Sequence, residues 1–174
     1  MVAYWKTGMR ITSGRLNRAL PVEVRKLVTS SRTSDTALAA DTELVLPLLA
    51  NTSYLVKGTL LVSGGDGAGD FQYGWEWTNT MTVIMGGGGP VDSIASGTSG
   101  SAQFAYAAVD TSSPSASIGY AASATGMNVQ ISATVEVGAS AGNLSLRWAQ
   151  LSSNVTASNL LVGSVLTALP TRFS

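Results

Sequence analysis

The chain has no cysteine and no histidine, and only 11% of its 174 residues are charged. Without cysteine there can be no disulfide framework, and zinc sites built from thiolate and imidazole are excluded. Without histidine the commonest general base near neutral pH is missing. No apolar run is long enough to span a bilayer, and the N-terminus lacks the apolar core of a signal peptide. We therefore expect a soluble cytosolic product, no membrane, no enzyme, no metal and no cofactor.

The sequence is rich in apolar residues and in small residues. Apolar residues make up 45% of the chain, and many of the remaining residues are glycine, serine and threonine. This apolar content is too high for a disordered chain, and the length suits one domain. Sparse surface charge on a folded domain indicates that much of its surface meets other protein.

Positive charge is concentrated at the N-terminus. Residues 1–32 carry seven cationic side chains against one carboxylate, a net charge of +6. The remaining residues carry three cationic side chains against nine carboxylates, a net charge of −6. A basic leader ahead of an acidic body favours docking on an acidic surface or on a neighbouring copy.

Residues 1–21 show no sustained period and are predicted to form an extended N-terminal arm that orders on a partner. A frayed, solvated terminus is the other interpretation. Aromatic and aliphatic residues among the basic ones favour the arm, and they favour protein over nucleic acid as its partner. The predicted binding residues of the arm are Trp5, Lys6, Arg10, Arg15, Leu16, Asn17 and Arg18.

Two stretches near the C-terminus alternate between apolar and polar residues with period two. One runs from Met127 to Val137, and the other contains Leu144, Leu146 and Trp148. Such alternation predicts strands with one face buried. The small-residue turn at 138–142 predicts that they form the central antiparallel hairpin of the domain.

Further short strands are predicted at 22–29, 44–49, 54–62, 71–77, 81–85, around 104–106, and at 118–124 and 160–169. Residues 63–69 are predicted to form a hairpin loop, and Gly86–Gly89 to end a strand. Pro47 indicates a sheet edge or a bulge. This many short strands without a long helix predicts an all-β antiparallel sandwich or jelly roll over residues 22–174.

One predicted strand carries four aromatic residues on a single face. Large buried aromatics dominate cores and interfaces, although an exposed aromatic face can also stack sugars or bases. We assign this face, with the apolar residues of the last hairpin strand, to the core or to a trimer interface. The residues are Phe71, Tyr73, Trp75, Trp77, Leu144, Leu146 and Trp148.

Neither the glycine-rich loops nor the acidic residues predict a ligand site. The loop at 64–69 lacks the lysine, the hydroxyl residue and the helix that a phosphate loop needs. Asp66, Asp70, Glu76 and Asp92 are scattered, so they are predicted to be solvated surface carboxylates rather than a cation site.

Short motifs along the chain resemble a pattern of small virion proteins from phages of actinobacteria. The motifs are Ile11-Thr12-Ser13-Gly14-Arg15-Leu16-Asn17, Asp41-Thr42-Glu43-Leu44, Leu46-Pro47-Leu48, Ala50-Asn51-Thr52-Ser53-Tyr54, Asp70-Phe71-Gln72-Tyr73-Gly74-Trp75, Ala141-Gly142 with Leu144, Leu146 and Trp148-Ala149-Gln150, then Ser153 and Gly163-Ser164. The resemblance implies a structural virion component with a tumour-necrosis-factor-like jelly roll that forms homotrimers.

Such domains serve as capsid decoration proteins or as parts of tails. Because the chain is short and lacks fibrous segments, the expected function is capsid decoration. The expected partners are the major capsid protein and further copies of this chain, and the expected location is the virion, assembled in the host cytoplasm. A minor tail or fibre protein that binds a host receptor is the alternative. A cell-wall hydrolase is the third class, and the missing catalytic residue types argue against it.

Overall fold

A computed structural model describes residues 10, 12, 13, 19–64, 70–90, 102–110, 117–120 and 126–173, with backbone only at 87–90, 102–110, 172 and 173. These residues form twelve strands. The strands are β1 (Val22–Arg25), β2 (Ser30–Arg32), β3 (Ala39–Leu48), β4 (Thr52–Gly64), β5 (Phe71–Trp77), β6 (Met81–Pro90), β7 (Ala102–Asp110), β8 (Ile118–Tyr120), β9 (Met127–Val137), β10 (Gly142–Ala149), β11 (Ser158–Leu160) and β12 (Val165–Phe173).

The strands pair into two antiparallel sheets. The larger sheet has eight strands, with the main order β1-β12-β4-β9-β6-β7 and with β11 and β2 beside the far end of β4. The smaller sheet has the order β3-β10-β5-β8. The apolar faces of the two sheets pack against each other, so the chain is an all-β sandwich.

The pairing is fully nested along the chain. β1 pairs with β12, β2 with β11, β3 with β10, β4 with β9, β5 with β8, and β6 with β7. From the pair of β3 with β10 inwards, successive pairs of this long double hairpin lie in opposite sheets, which is the jelly-roll topology. The two outer pairs, β1 with β12 and β2 with β11, both lie in the larger sheet. The predicted antiparallel jelly-roll sandwich is therefore confirmed.

Period-two alternation places the core between the sheets. In β9, residues Val129, Ile131, Ala133, Val135 and Val137 are buried, and the residues between them are exposed. β4 alternates in the same way along its thirteen residues. β9 therefore contributes one apolar row to the core and one polar row to the outer surface, whereas β4 contributes one buried row and one mostly half-buried row.

Gly58 lies in the middle of the buried row of β4, between Leu166 of β12 and Ile131 of β9 in the same sheet. A Cβ atom at this position would lie 2.5 Å from Cδ2 of Leu166 and 2.6 Å from Cγ1 of Ile131. These distances are far below van der Waals contact, so the side chains of the neighbouring strands fill the space that any other residue would need.

The predicted central hairpin is wrong. β9 pairs with β4 and β6 in the larger sheet, whereas β10 pairs with β3 and β5 in the smaller one. The turn at 138–141 thus crosses from one sheet to the other. Alternation identified both buried faces correctly, but two strands that face each other across a core alternate in the same way as two that lie side by side.

Other local predictions also need correction. The predicted hairpin loop at 63–69 is wrong, because Ser63 and Gly64 lie in β4 and the next strand, β5, lies in the other sheet. Gly86–Gly89 lies inside β6, which pairs with β7 on one side and β9 on the other. The predicted strand at 160–169 is two strands, β11 and β12, separated by a turn. Pro47 lies in β3, the edge strand of the smaller sheet, as expected.

Candidate functional site

The described part of the chain contains a polar cleft of about 620 Å³. Residues 28–33 form one wall, and the first residues of β3 form the other. Lys26, Asp41, Glu43, Arg32 and Trp148 line it. Its lining residues include members of β2 in the larger sheet and of β3 and β10 in the smaller one, so the cleft is bounded by both sheets.

A buried charge cluster occupies one end of the cleft. Nζ of Lys26 donates to Oδ2 of Asp41 at 2.6 Å and to Oε2 of Glu43 at 3.1 Å. The side chains of Lys26 and Asp41 are only 3% and 2% exposed, whereas that of Glu43 is 25% exposed. Oδ1 of Asp41 accepts the backbone N–H groups of Glu43 at 3.0 Å and Leu44 at 3.1 Å. Both carboxylate oxygens of Asp41 are therefore satisfied.

The electrostatics of the cluster follow from these contacts. Burial raises the pKa of Asp41, but the Lys26 ammonium and the two backbone N–H donors outweigh it, so the net shift is downward. The backbone N–H of Leu27, followed by the Lys26 ammonium, lowers the pKa of Glu43 against a smaller opposing effect of burial. At neutral pH the cluster is one cation between two carboxylates.

The cluster also fixes the backbone that follows β1. Leu27 N donates to Oε1 of Glu43 at 2.9 Å, which ties the segment to β3 in the smaller sheet. Lys26 N donates to Ser164 O at 2.8 Å, and Gly163 N donates to Lys26 O at 2.9 Å. These two bonds tie it to the turn before β12 in the larger sheet. The N-terminal strand is thus held to both layers of the sandwich.

Arg32 covers the other end of the cleft. Its guanidinium lies 4.7 Å from the centre of the Trp148 ring, pairs with Asp35 at 3.4 Å and donates to Ala39 O at 3.1 Å. The buried Nε of Arg32 and Nε1 of Trp148 find no acceptor among the described residues. Two of the residues that line the cleft thus have a buried donor with unused capacity.

A buried amide organises the neighbouring loops. Gln150 is fully buried, and its Oε1 accepts Asp35 N at 3.3 Å and Asn154 N at 3.2 Å. Its Nε2 donates to Thr156 O at 2.8 Å. Gln72 Nε2 donates to Gln150 O at 2.9 Å. These bonds satisfy loop backbone groups that would otherwise be buried without partners.

The structure places the predicted site residues in two different ways. Of the predicted binding residues in the arm, only Arg10 is described, and it is exposed; the other six lie outside the described residues. The seven predicted core or interface residues all lie in the core of this one chain. Phe71 stacks on Trp148 with ring centroids 5.8 Å apart, and Tyr73 on Tyr120 at 6.0 Å. The aromatic face is therefore not available to stack sugars or bases.

The predicted surface carboxylates do not all lie at the surface. Asp70 is 2% exposed, so its assignment as a solvated carboxylate is wrong; its carbonyl accepts Ser158 Oγ at 3.0 Å. Glu76 is exposed and lies 3.6 Å from Nε of Arg147. Asp66 and Asp92 lie outside the described residues. Within the described ranges, no group of three or more acidic, histidine or cysteine side chains is arranged to hold a metal ion.

Sequence reasoning did not identify the Lys26 cluster as a site. One signal was present: Lys26 follows Val22 and Val24 on the inward-facing row of the first strand, where a lysine must find a buried partner. That partner comes from another sheet, which no local pattern indicates.

Among the described residues, no helix is both long enough and apolar enough to span a membrane.

Comparison with known proteins adds little to the description of this all-β jelly-roll sandwich. No family model and no curated protein matches the chain. It is similar to "Structure of infectious bursal disease virus Gx strain" at 12% identity and TM-score 0.24, over 87% of this chain and 40% of that one. It is similar to the Gt strain structure at 9% identity and TM-score 0.22, over 87% and 41%. The chain thus spans about two-fifths of those chains, and a likeness this small carries no argument about function.

Proposed function

We propose that this protein is a bacteriophage virion structural protein that trimerises and decorates the outer shell of the capsid. The arm at residues 1–21 binds the major capsid protein, and the jelly roll faces outward. The motif resemblance described above supports this function. The structural observation that carries it concerns the segment that follows the arm: β1 pairs with β12, and Leu27 is hydrogen-bonded to Glu43 of the other sheet, so the base of the arm is firmly anchored.

The charge distribution supports separate roles for the two parts of the chain, in which the arm binds the shell and the body forms the folded domain. Lys26 and Arg32, two of the seven N-terminal cations, are neutralised by carboxylates of the body. The four cations that remain within residues 1–21 have no carboxylate among those same residues. An excess of positive charge in this segment suits an acidic partner surface, because complementary charge speeds and orients docking.

The motif residues that the structure describes serve to build the fold. Asp41 holds the N-terminal strand, and Gln150 holds two loops. Asn51 turns the chain between β3 and β4 with a φ of 53°, and the hydroxyl of Tyr54 accepts Leu49 N at 3.0 Å. Motif residues with structural roles suit a protein that functions by binding other proteins rather than by catalysis. In a trimer, several weak contacts act together, so avidity can give tight binding to the shell.

Deletion of residues 1–20 tests the proposal. We expect the shortened protein to remain a folded trimer by light scattering and to lose co-sedimentation with purified shells. Arg15→Glu and Arg18→Glu should weaken shell binding, most strongly at low salt, because screening is weakest there. Lys57→Glu, which reverses an exposed charge on β4, is the matched control and should bind normally. Saturation of shells by the truncated protein would contradict the arm model.

The polar cleft favours a second candidate function, a minor tail protein that binds a host receptor. Its volume lies within the range of small-ligand sites, and it contains two buried donors without acceptors. Arg32→Ala with Trp148→Phe would remove both donors. If these changes abolish adsorption of phage to host cells while the variant stays folded, and the wild-type protein does not co-sediment with shells, the tail function is the correct one.

A further inference from the structure

We propose that Lys26 and Asp41 condense spontaneously into an amide, an isopeptide bond that fastens the end of β1 to β3. The proposal rests on the geometry of the charge cluster and is independent of the virion function. In a chain without cysteine, such a bond would provide the covalent cross-link that a disulfide provides elsewhere.

The two reacting groups are held together and kept from water. Nζ of Lys26 lies 2.6 Å from Oδ2 of Asp41, and both side chains are almost completely buried. Fixed proximity of this kind replaces a bimolecular encounter and corresponds to a very high effective concentration. Burial also disfavours both charges, so conversion of an ammonium and a carboxylate into a neutral amide relieves the desolvation penalty of the pair.

Glu43 stands where a proton carrier is needed. Its Oε2 lies 3.1 Å from Nζ of Lys26, so it can accept a proton from the ammonium and pass it to Oδ2 of Asp41. This transfer gives a neutral amine beside a neutral carboxylic acid. Glu43 also keeps partners after the reaction, because Leu27 N and Val28 N donate to it at 2.9 and 3.3 Å and it is partly exposed.

The other oxygen of Asp41 is placed to carry the developing negative charge. When the amine lone pair attacks Cγ of Asp41, a bond forms between Nζ and Cγ, and the electron pair of the carbonyl moves to Oδ1. The backbone N–H groups of Glu43 and Leu44 already point at Oδ1 at 3.0 and 3.1 Å. This is the arrangement of an oxyanion hole, in which preorganised donors stabilise a tetrahedral intermediate.

The step balances without any co-reactant. Nζ begins with three protons and gives two of them, through Glu43, to Oδ2 of Asp41. The bond between Cγ and Oδ2 then breaks, the carbonyl at Oδ1 forms again, and Oδ2 leaves as water. The products are one amide and one water molecule, and Glu43 returns to its starting state. The cleft that these three side chains line gives the water a path to solvent.

The intact mass of the purified, denatured full-length chain tests the proposal. We expect it to be lower than the mass of the sequence by one water molecule. Trypsin should then yield a branched peptide in which residues 26–32 are joined to residues 33–57, because an acylated Lys26 is no longer cleaved. The unlinked chain instead gives residues 27–32 and 33–57 as separate peptides.

Variants separate the reaction from the fold. Glu43→Gln keeps both condensing groups and should slow cross-linking by about 10²–10⁴-fold, the usual contribution of a general acid–base group. Lys26→Arg should abolish it, and Lys57→Arg, which changes an exposed lysine, should leave it intact. The proposal is overturned if folded wild-type protein keeps its full sequence mass after prolonged incubation, since the cluster is then an ion pair only. A loss of water that maps to another position overturns it as well.

Discussion

Replacement of Gly58 by alanine tests whether side chains of the two neighbouring strands of the same sheet, β12 and β9, fill the space over this glycine as the structure indicates. Glycine inside a strand is normally unfavourable, so alanine at a roomy position stabilises a protein by about 0.4–1 kcal/mol. Here the new Cβ would lie 2.5 Å from Leu166 and 2.6 Å from Ile131. We therefore expect the opposite sign, a loss of about 1–3 kcal/mol from overpacking.

The assay is urea unfolding followed by tryptophan fluorescence, since Trp75 and Trp148 are buried and report loss of the core. For a domain of this size, each kcal/mol also lowers the melting temperature by about 2–4 °C. An unchanged or raised stability of Gly58→Ala would refute the close approach of β4 to β12 and β9.

A second variant isolates the cause. Leu166→Ala alone removes the clashing methyl group and should destabilise by about 2–5 kcal/mol through the cavity that it leaves. In the double variant, the clash of the alanine at position 58 with Leu166 is gone and only that with Ile131 remains. We therefore expect the combined loss to be smaller than the sum of the single losses by about 1 kcal/mol or more. Simple additivity would show that the two positions do not share one space.

Two further predictions concern buried polar groups. Burial raises the pKa of Tyr73 and raises that of Tyr120 to about 12. Because unfolded tyrosines lose their protons near pH 10, the stability that these groups contribute is complete below about pH 10 and is lost as the pH rises toward 12, by about 1.4 kcal/mol per pH unit for each group. Unfolding free energies measured across this range should show that slope, and Tyr120→Phe should reduce it; a flat profile would contradict their burial. Gln150→Leu should destabilise by about 1–3 kcal/mol, because loop N–H groups lose their acceptor. The exposed control Gln130→Leu should change stability by less than about 0.5 kcal/mol in the same unfolding assay, and equal effects would show that the buried amide is not structural.

The sequence predicted the strands better than it predicted their partners. Period-two alternation located β9 and β10 and the buried face of each, because side-chain direction in a strand is a local property. Whether two such strands lie side by side or face each other across a core depends on the rest of the chain. The nested pairing of β1 with β12 could not be read from alternation for the same reason.

The prediction that Gly86–Gly89 ends a strand was wrong for a related physical reason. Gly86–Gly89 has low intrinsic strand propensity, yet Gly86, Gly87 and Gly88 each pair with β7 on one side and β9 on the other. Backbone hydrogen bonds on both sides outweigh the local preference of these residues. Propensity alone therefore predicts an end to the strand where the sheet continues.

The candidate site was predictable only in part. The inward position of Lys26 was visible in the pattern of β1, and the acidic motif at the start of β3 was visible as a motif. The contact between Lys26 and Asp41 could not be predicted, because the two residues lie 15 positions apart in the sequence and belong to different parts of the sandwich. The predicted role of the arm, apart from the exposed Arg10, lies outside the described residues and stays a prediction.

The location of the protein in intact phage particles tests the central claim most directly. Gold-labelled antibodies against the jelly-roll domain, viewed by electron microscopy, would show where the protein lies and how many copies a particle carries. A decoration protein should be labelled over the whole shell. Label confined to one vertex or to the tail, or absent from purified particles, would contradict the account.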